Sequence, residues 1–148
     1  MITTYFLLAL FGIAMAHLEG VVVVYLRKAI GMIDGDEGNT DALEKIPPRY
    51  ISIEKTREAA TIMMLVTLAL LVGGTELDKL LVFLWTFAFW DLFYYLSLYL
   101  LIKWPPKLTS MYVLFLIPRP WIAPVWLPIG ISSATIILIA FLYLAPFL

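Results

Sequence analysis

Asp91, Glu19, His17, Arg57, Glu58, Glu54, Thr61 and Tyr94 are the side chains of this sequence whose types and spacing could do chemistry. Carboxylates take up protons, hold cations or ligate metals, and an arginine beside them supplies counter-charge. Asp91 stands at the centre of the apolar run Leu80–Ile102, ~16 Å of helix from each end at ~1.5 Å per residue. At the midplane of a bilayer an ionisable group costs about 2.5–3.5 kcal/mol on insertion scales, so its presence asks for a function. Tyr94 and Tyr95 follow it by about one helical turn.

Glu54, Arg57, Glu58 and Thr61 fall at i, i+3, i+4 and i+7, which is one helix face. Arg57 can pair with Glu54 in its own helix or turn its planar fork across to Glu19. An interfacial salt bridge at a helix start is the ordinary alternative. Gly12, Ala16 and Gly20 form a small-xxx-small stripe along the first helix. On a helical wheel His17 lies about 100° to one side of that stripe and Glu19 about 60° to the other. A packing histidine is the ordinary reading of His17. A lone carboxylate in lipid must protonate or find a partner, so Glu19 asks for more. Together these residues read as a ladder from the midplane to one surface, which predicts a polar pocket rather than a through-pore.

The elements that must position them are membrane helices. The chain has 148 residues, of which 63% are hydrophobic and 14% charged, with mean hydropathy +0.96. That composition belongs to a single domain stabilised by helix packing in lipid. A net charge of −1 leaves no nucleic-acid footprint, and the absence of cysteine excludes disulfides and thiol chemistry. Four spans are expected, over residues 2–26, 53–73, 79–102 and 121–145. Ala14-Met15-Ala16 imitates a signal-peptidase site, but there is no basic flank and the apolar stretch runs on past it. The first span is therefore read as retained. Ala59–Gly73 alone makes only ~22 Å of helix, so the second span must reach back to Ile53, carrying Glu54, Arg57 and Glu58 into the leaflet. Gly73-Gly74 is a helix stop, and Thr75-Glu76-Leu77-Asp78 reads as a capping box opening the next helix.

Nine of the ten basic residues lie in or beside the loops after spans one and three, and only Lys79 lies on the other side. The positive-inside rule then puts both termini on the non-cytoplasmic face and opens the pocket to the cytoplasm. The loop 31–50 is polar and acidic. Its Asp34-Gly35-Asp36 opening resembles a calcium loop, but Gly38 and Lys45 stand where oxygen ligands are required. Met111–Ile117 is too short to cross and is expected to lie at the interface or dip in and return. Pro118, Pro120, Pro124 and Pro128 then punctuate the start of span four. If helix already runs through Pro124 and Pro128, they free the carbonyls of Pro120 and Pro124, giving a kinked helix or a carbonyl-lined site. The fold class is thus an all-α membrane protein: four transmembrane helices in an antiparallel bundle, with a proline-rich interfacial or re-entrant segment before the fourth.

Several short motifs carry a resemblance: His17-x-Glu19 with Tyr25-Leu26-Arg27, Arg57-Glu58-Ala59-Ala60-Thr61, Trp90-Asp91-x-x-Tyr94-Tyr95, Trp104-Pro105 and Phe115-Leu116-Ile117-Pro118-x-Pro120-Trp121. Through them most of the chain resembles a group of small uncharacterised prokaryotic four-span membrane proteins. The resemblance implies a shared fold in a prokaryotic cytoplasmic membrane, and implies that these polar residues belong to one set. It supplies no chemistry and names no cofactor.

Three functions fit. One is binding or transport of a proton or small polar solute, with Asp91 and Glu19 titrating and Arg57 as counter-ion. The second is a metal or redox site, even a metalloenzyme, using His17, Glu19, Glu58 and Asp91 as ligands; Glu54 is of the same ligand type. The Glu-x-x-His repeats of di-iron bundles are missing, and a single histidine cannot make a bis-histidine haem site within one chain. The third is an accessory subunit of a larger membrane complex. The Gly12/Ala16/Gly20 face offers a surface for homo-oligomers. Metal in the purified protein would favour the second reading, co-purifying subunits the third, and a response abolished by Asp91→Asn the first.

Overall fold

The computed structural model describes residues 1–31 and 46–147. The acidic stretch with its calcium-like Asp34-Gly35-Asp36 start lies outside the described residues. The chain is mostly helical, and its described residues form four helices. They are α1 (Ile2–Ala29), α2 (Pro48–Val72), α3 (Glu76–Ile102) and α4 (Trp126–Ile139), the last continued by a π turn over Ala140–Leu144. Between α3 and α4 lie two short strands, β1 (Met111–Phe115) and β2 (Trp121–Pro124). Three segments are long and apolar enough to cross a membrane: Ile2–Ala29, Glu76–Ile102 and Trp126–Leu144.

The helix α2 is more polar, carrying Lys55, Arg57 and Glu58 beside its apolar half. It begins at Pro48, five residues before the expected Ile53, because a proline at the first helical position gives up no intrahelical bond. Its 25 residues make ~37 Å of helix. Gly73 ends it, and a Cβ there would stand 2.5 Å from the backbone nitrogen of Lys79. Only glycine lets the chain turn back so tightly. Thr75 then accepts from the Asp78 amide at 3.1 Å while its own amide donates to Asp78 Oδ2 at 3.0 Å, which is the capping box expected from sequence.

The closest helix pair is α1 with α3, which run parallel. Trp85 Nε1 donates to the carbonyl of Tyr5 at 2.9 Å near one end, and Gly20 meets Ser97 further along. A Cβ on Gly12 would lie 2.9 Å from the Thr86 carbonyl oxygen, and one on Gly20 would lie 3.1 Å from Ser97 Cβ. Ala16 between them is fully buried. The small stripe that the sequence offers to a second copy is therefore filled by the chain's own α3. Close approach of two helices is what such stripes permit, whichever chain supplies the partner.

The proline-rich segment differs from the sequence expectation. Helix does not begin at Trp121. Instead β2 pairs antiparallel with β1, setting Met111 against Pro124, Tyr112 against Ala123, Val113 against Ile122 and Phe115 against Trp121. Met-Tyr-Val-Leu-Phe is rich in residues that suit a pleated surface, and the prolines at 118 and 120 fall in the turn, where no ladder bond is lost. Pro124 ends β2, and Pro128 sits in the first turn of α4, so neither breaks a helical hydrogen bond. The expectation of a kinked helix or freed carbonyls there is corrected, and the chain is not purely α. A two-stranded hairpin is marginal alone. This one is tied down by Val125 N–H to the Ser110 carbonyl and Trp126 N–H to the Leu108 carbonyl, both at 2.9 Å.

Candidate functional site

A cavity of about 150 Å³ opens between α1, α2, α3 and the hairpin. Glu19, Glu54, Arg57, Glu58, Thr61, Asp91 and Tyr94 all line it. The i, i+3, i+4, i+7 face of α2 supplies four of these, the Asp91 face of α3 supplies two, and α1 supplies Glu19. Seven of the eight residues singled out by type and spacing are thus neighbours in space.

His17 is the exception. It is exposed on the outside of α1, with its Nδ1 3.3 Å from Ser97 Oγ. The wheel angle explains the split: 100° from the packed stripe turns His17 outward, whereas 60° the other way leaves Glu19 facing in. The proposed ligand set of His17, Glu19, Glu58 and Asp91 is not assembled. Among the described residues no group of three or more His, Asp or Glu side chains comes together in a way that could hold a metal ion.

Arg57 is the electrostatic hub. Its Nη1 donates to Glu19 Oε2, and its Nε donates to the two Glu54 carboxylate oxygens at 3.1 and 3.2 Å, with Nη2 also on Glu54. Thr61 Oγ1 donates to the other Glu19 oxygen at 3.0 Å. Arg57 therefore takes both partners that the sequence offered as alternatives. With side chains only 25%, 13% and 15% exposed for Arg57, Glu19 and Glu54, the triad sits largely out of water. A planar guanidinium can serve two carboxylates at once, which a lysine could not do with the same geometry.

Glu58 has a different use. Its two oxygens accept from the successive amides of Leu116 and Ile117, at 2.7 and 3.0 Å. A carboxylate on two backbone N–H groups is a strong charge-assisted clamp. It fastens the tip of the hairpin over the cavity, so Glu58 is a wall-building residue as well as a lining one.

Asp91 lies deeper. Ser132 Oγ on α4 donates to its Oδ2 at 2.8 Å, and this is its only hydrogen-bond partner among the described residues. Tyr94 is buried beside it, its hydroxyl 2.5 Å from that of Tyr112 on β1. Trp90 also lines the cavity, and its buried Nε1–H has no partner among the described residues. Arg27 also lines the cavity and is 2% exposed, its guanidinium over the Trp104 ring at 4.7 Å.

Sequence reading missed Ser132, Tyr112 and the cavity role of Arg27. Two of these left a signal. Ser132-Ser133 is a polar pair inside an otherwise apolar helix, and Arg27 follows Glu19 and Val23 at successive fourth positions. Tyr112 left none, because its placement depends on the hairpin.

The chain matches no protein-family model, no curated protein and no solved structure. Function must therefore be argued from the cavity itself.

Proposed function

We propose that this chain is an integral membrane protein that binds, and passes toward the cytoplasm, a proton or a small polar solute at the Asp91 cavity. The observation that carries the reading is the setting of Asp91. It occupies the middle of a 27-residue apolar helix, yet it faces a polar cavity and holds a single hydroxyl partner among the described residues. Stability gives no reason to keep a carboxylate in such a place; proton or solute binding does. Glu19 and Arg57 form the next rung, a pair whose charges can separate and re-form as the occupant changes.

In this reading all four helices cross the bilayer as an antiparallel bundle, with α2 shielded on its charged half by α1 and the hairpin. Both termini are non-cytoplasmic, and the cavity opens to the cytoplasm of a prokaryotic cell. The metal reading loses its support with the separation of His17 from the carboxylates.

The test of function is flux. Protein reconstituted into vesicles with a trapped pH dye should dissipate an imposed proton gradient, alone or with solute, and Asp91→Asn should remove that activity while the variant stays folded. Equal dissipation by parent and variant sinks the reading. Topology is checked separately, because the chain has no cysteine. A membrane-impermeant maleimide should reach Ser110→Cys from the cytoplasmic side and Gly74→Cys from the opposite side, and the reverse pattern contradicts the orientation.

A further inference from the structure

We infer that the occupant of the cavity is a small organic ammonium ion carrying a hydroxyl or carbonyl oxygen. This rests on the pocket reading above and adds the chemical class of the ligand. Charge is the first ground. Among the described residues that line the cavity there are four carboxylates, Glu19, Glu54, Glu58 and Asp91, against the two guanidiniums of Arg27 and Arg57. Three of the carboxylates are already held. Arg57 takes Glu19 and Glu54, and the hairpin amides take Glu58. Among the described residues Asp91 has one neutral hydroxyl partner and no other. A part-buried carboxylate with one neutral donor calls for a cation.

The walls say what kind of cation. Trp90, Tyr94, Tyr95 and Tyr112 line the same space. Trp90 and Tyr94 have ring centroids 6.4 Å apart, Tyr94 and Tyr95 meet at 5.5 Å and 73°, and Tyr95 and Tyr112 at 5.9 Å and 78°. The Tyr112 ring already has the Arg27 guanidinium 5.9 Å from its centroid. Trp90, Tyr94 and Tyr95, lining the same cavity as the carboxylate, are the rings that attract an ammonium group through their negative faces. A bare divalent ion is poorly served, since hard cations need about six or more oxygen ligands. Size agrees: the cavity is about 150 Å³, room for a molecule of about benzene's bulk. The buried Trp90 Nε1–H, without an acceptor among the described residues, supplies the last requirement, an oxygen on the ligand.

The experiment uses the full chain in detergent or nanodiscs and titrates it calorimetrically with choline, tetramethylammonium and 3,3-dimethylbutanol, the neutral isostere of choline. Choline should bind saturably, and the neutral isostere about tenfold more weakly or worse. Asp91→Asn should cost choline a similar factor. Trp90→Phe keeps a ring but loses the donor, so it should bring choline down to the affinity of tetramethylammonium. Should Asp91→Asn not fold, the isostere and Trp90→Phe decide the matter on folded protein. The inference is overturned if folded parent shows no saturable choline binding, if the isostere binds equally, or if folded Asp91→Asn binds undiminished. If choline fails while proton flux is still lost in Asp91→Asn, the pocket reading stands and only the ligand class is wrong. If flux also survives in that variant, both fail.

Discussion

The two ends of the bundle use polar residues in opposite ways. At the end where α2 turns into α3, most polar groups are absorbed locally, the buried Tyr5 hydroxyl being the exception among the described residues. Trp85 Nε1 is spent on the Tyr5 carbonyl, Thr86 Oγ1 on the Val82 carbonyl at 2.8 Å, and Tyr143 on Asp78, itself locked in the Thr75 capping box. Around them Tyr5, Leu8, Val82, Trp85 and Ile139 pack into an apolar core. At the other end, carboxylates and guanidinium meet across three helices and a hairpin, around a space. A donor spent on a fixed backbone carbonyl has one good arrangement. An arginine between two carboxylates holds both at once. On the proposed reading the first end stays closed and the second changes its partners as the occupant comes and goes.

Substitutions break that comparison in graded steps. The largest effect should come from the closed helix pair. Gly12→Leu has no room beside Thr86 and Phe89, and overpacking of this kind costs about 1–3 kcal/mol or more. Thermal unfolding should fall sharply, whereas Gly130→Ala, with nothing within 4 Å of the new Cβ, should hold or raise it by helix propensity, about 1 kcal/mol at most. Equal behaviour of the two variants would mean that α1 and α3 are not in the close contact described.

Arg57→Met comes next. It leaves Glu19 and Glu54 facing each other without a cation, a loss of about 1–3 kcal/mol, below the 3–5 expected for a fully buried pair because Arg57 is partly exposed. Adding Glu19→Gln should restore part of that loss, and strict additivity of the two changes would show that the pair is not coupled. Smaller again is Glu58→Gln, which weakens two charge-assisted bonds by about 1–2 kcal/mol. Its signature is local: hydrogen exchange should quicken at the Leu116 and Ile117 amides while α1 and α3 keep their protection. Unchanged exchange at those two amides contradicts the clamp.

Much of this was legible in the sequence because helical periodicity is a strong signal. The face Glu54–Arg57–Glu58–Thr61 and its meeting with Glu19 followed from spacing and from the need of a lipid-embedded carboxylate for a partner. The Gly73-Gly74 turn and the Thr75 capping box followed from backbone chemistry. The hairpin did not. A short apolar run gives no periodic signal that separates an interfacial helix from a strand, and pairing of Tyr112 with Ala123 depends on a partner across a proline turn. Glu58's grip on that turn was hidden for the same reason, as was the Tyr94–Tyr112 contact. His17 was misplaced because two residues near one stripe can face opposite ways, and the wheel alone cannot tell which side the third helix takes. A small stripe signals close packing without naming the partner, and here α3 packs against Gly12 and Gly20.

The central claim is that Asp91 is kept for exchange with an occupant and not for packing. Gradient dissipation by reconstituted parent and Asp91→Asn, each shown to be folded by its thermal unfolding, decides it. Parent vesicles should discharge an imposed proton gradient, alone or with solute, and variant vesicles should not, with both proteins unfolding at similar temperatures. Equal discharge by the two proteins, or collapse of the fold when Asp91 loses only its charge, would overturn it.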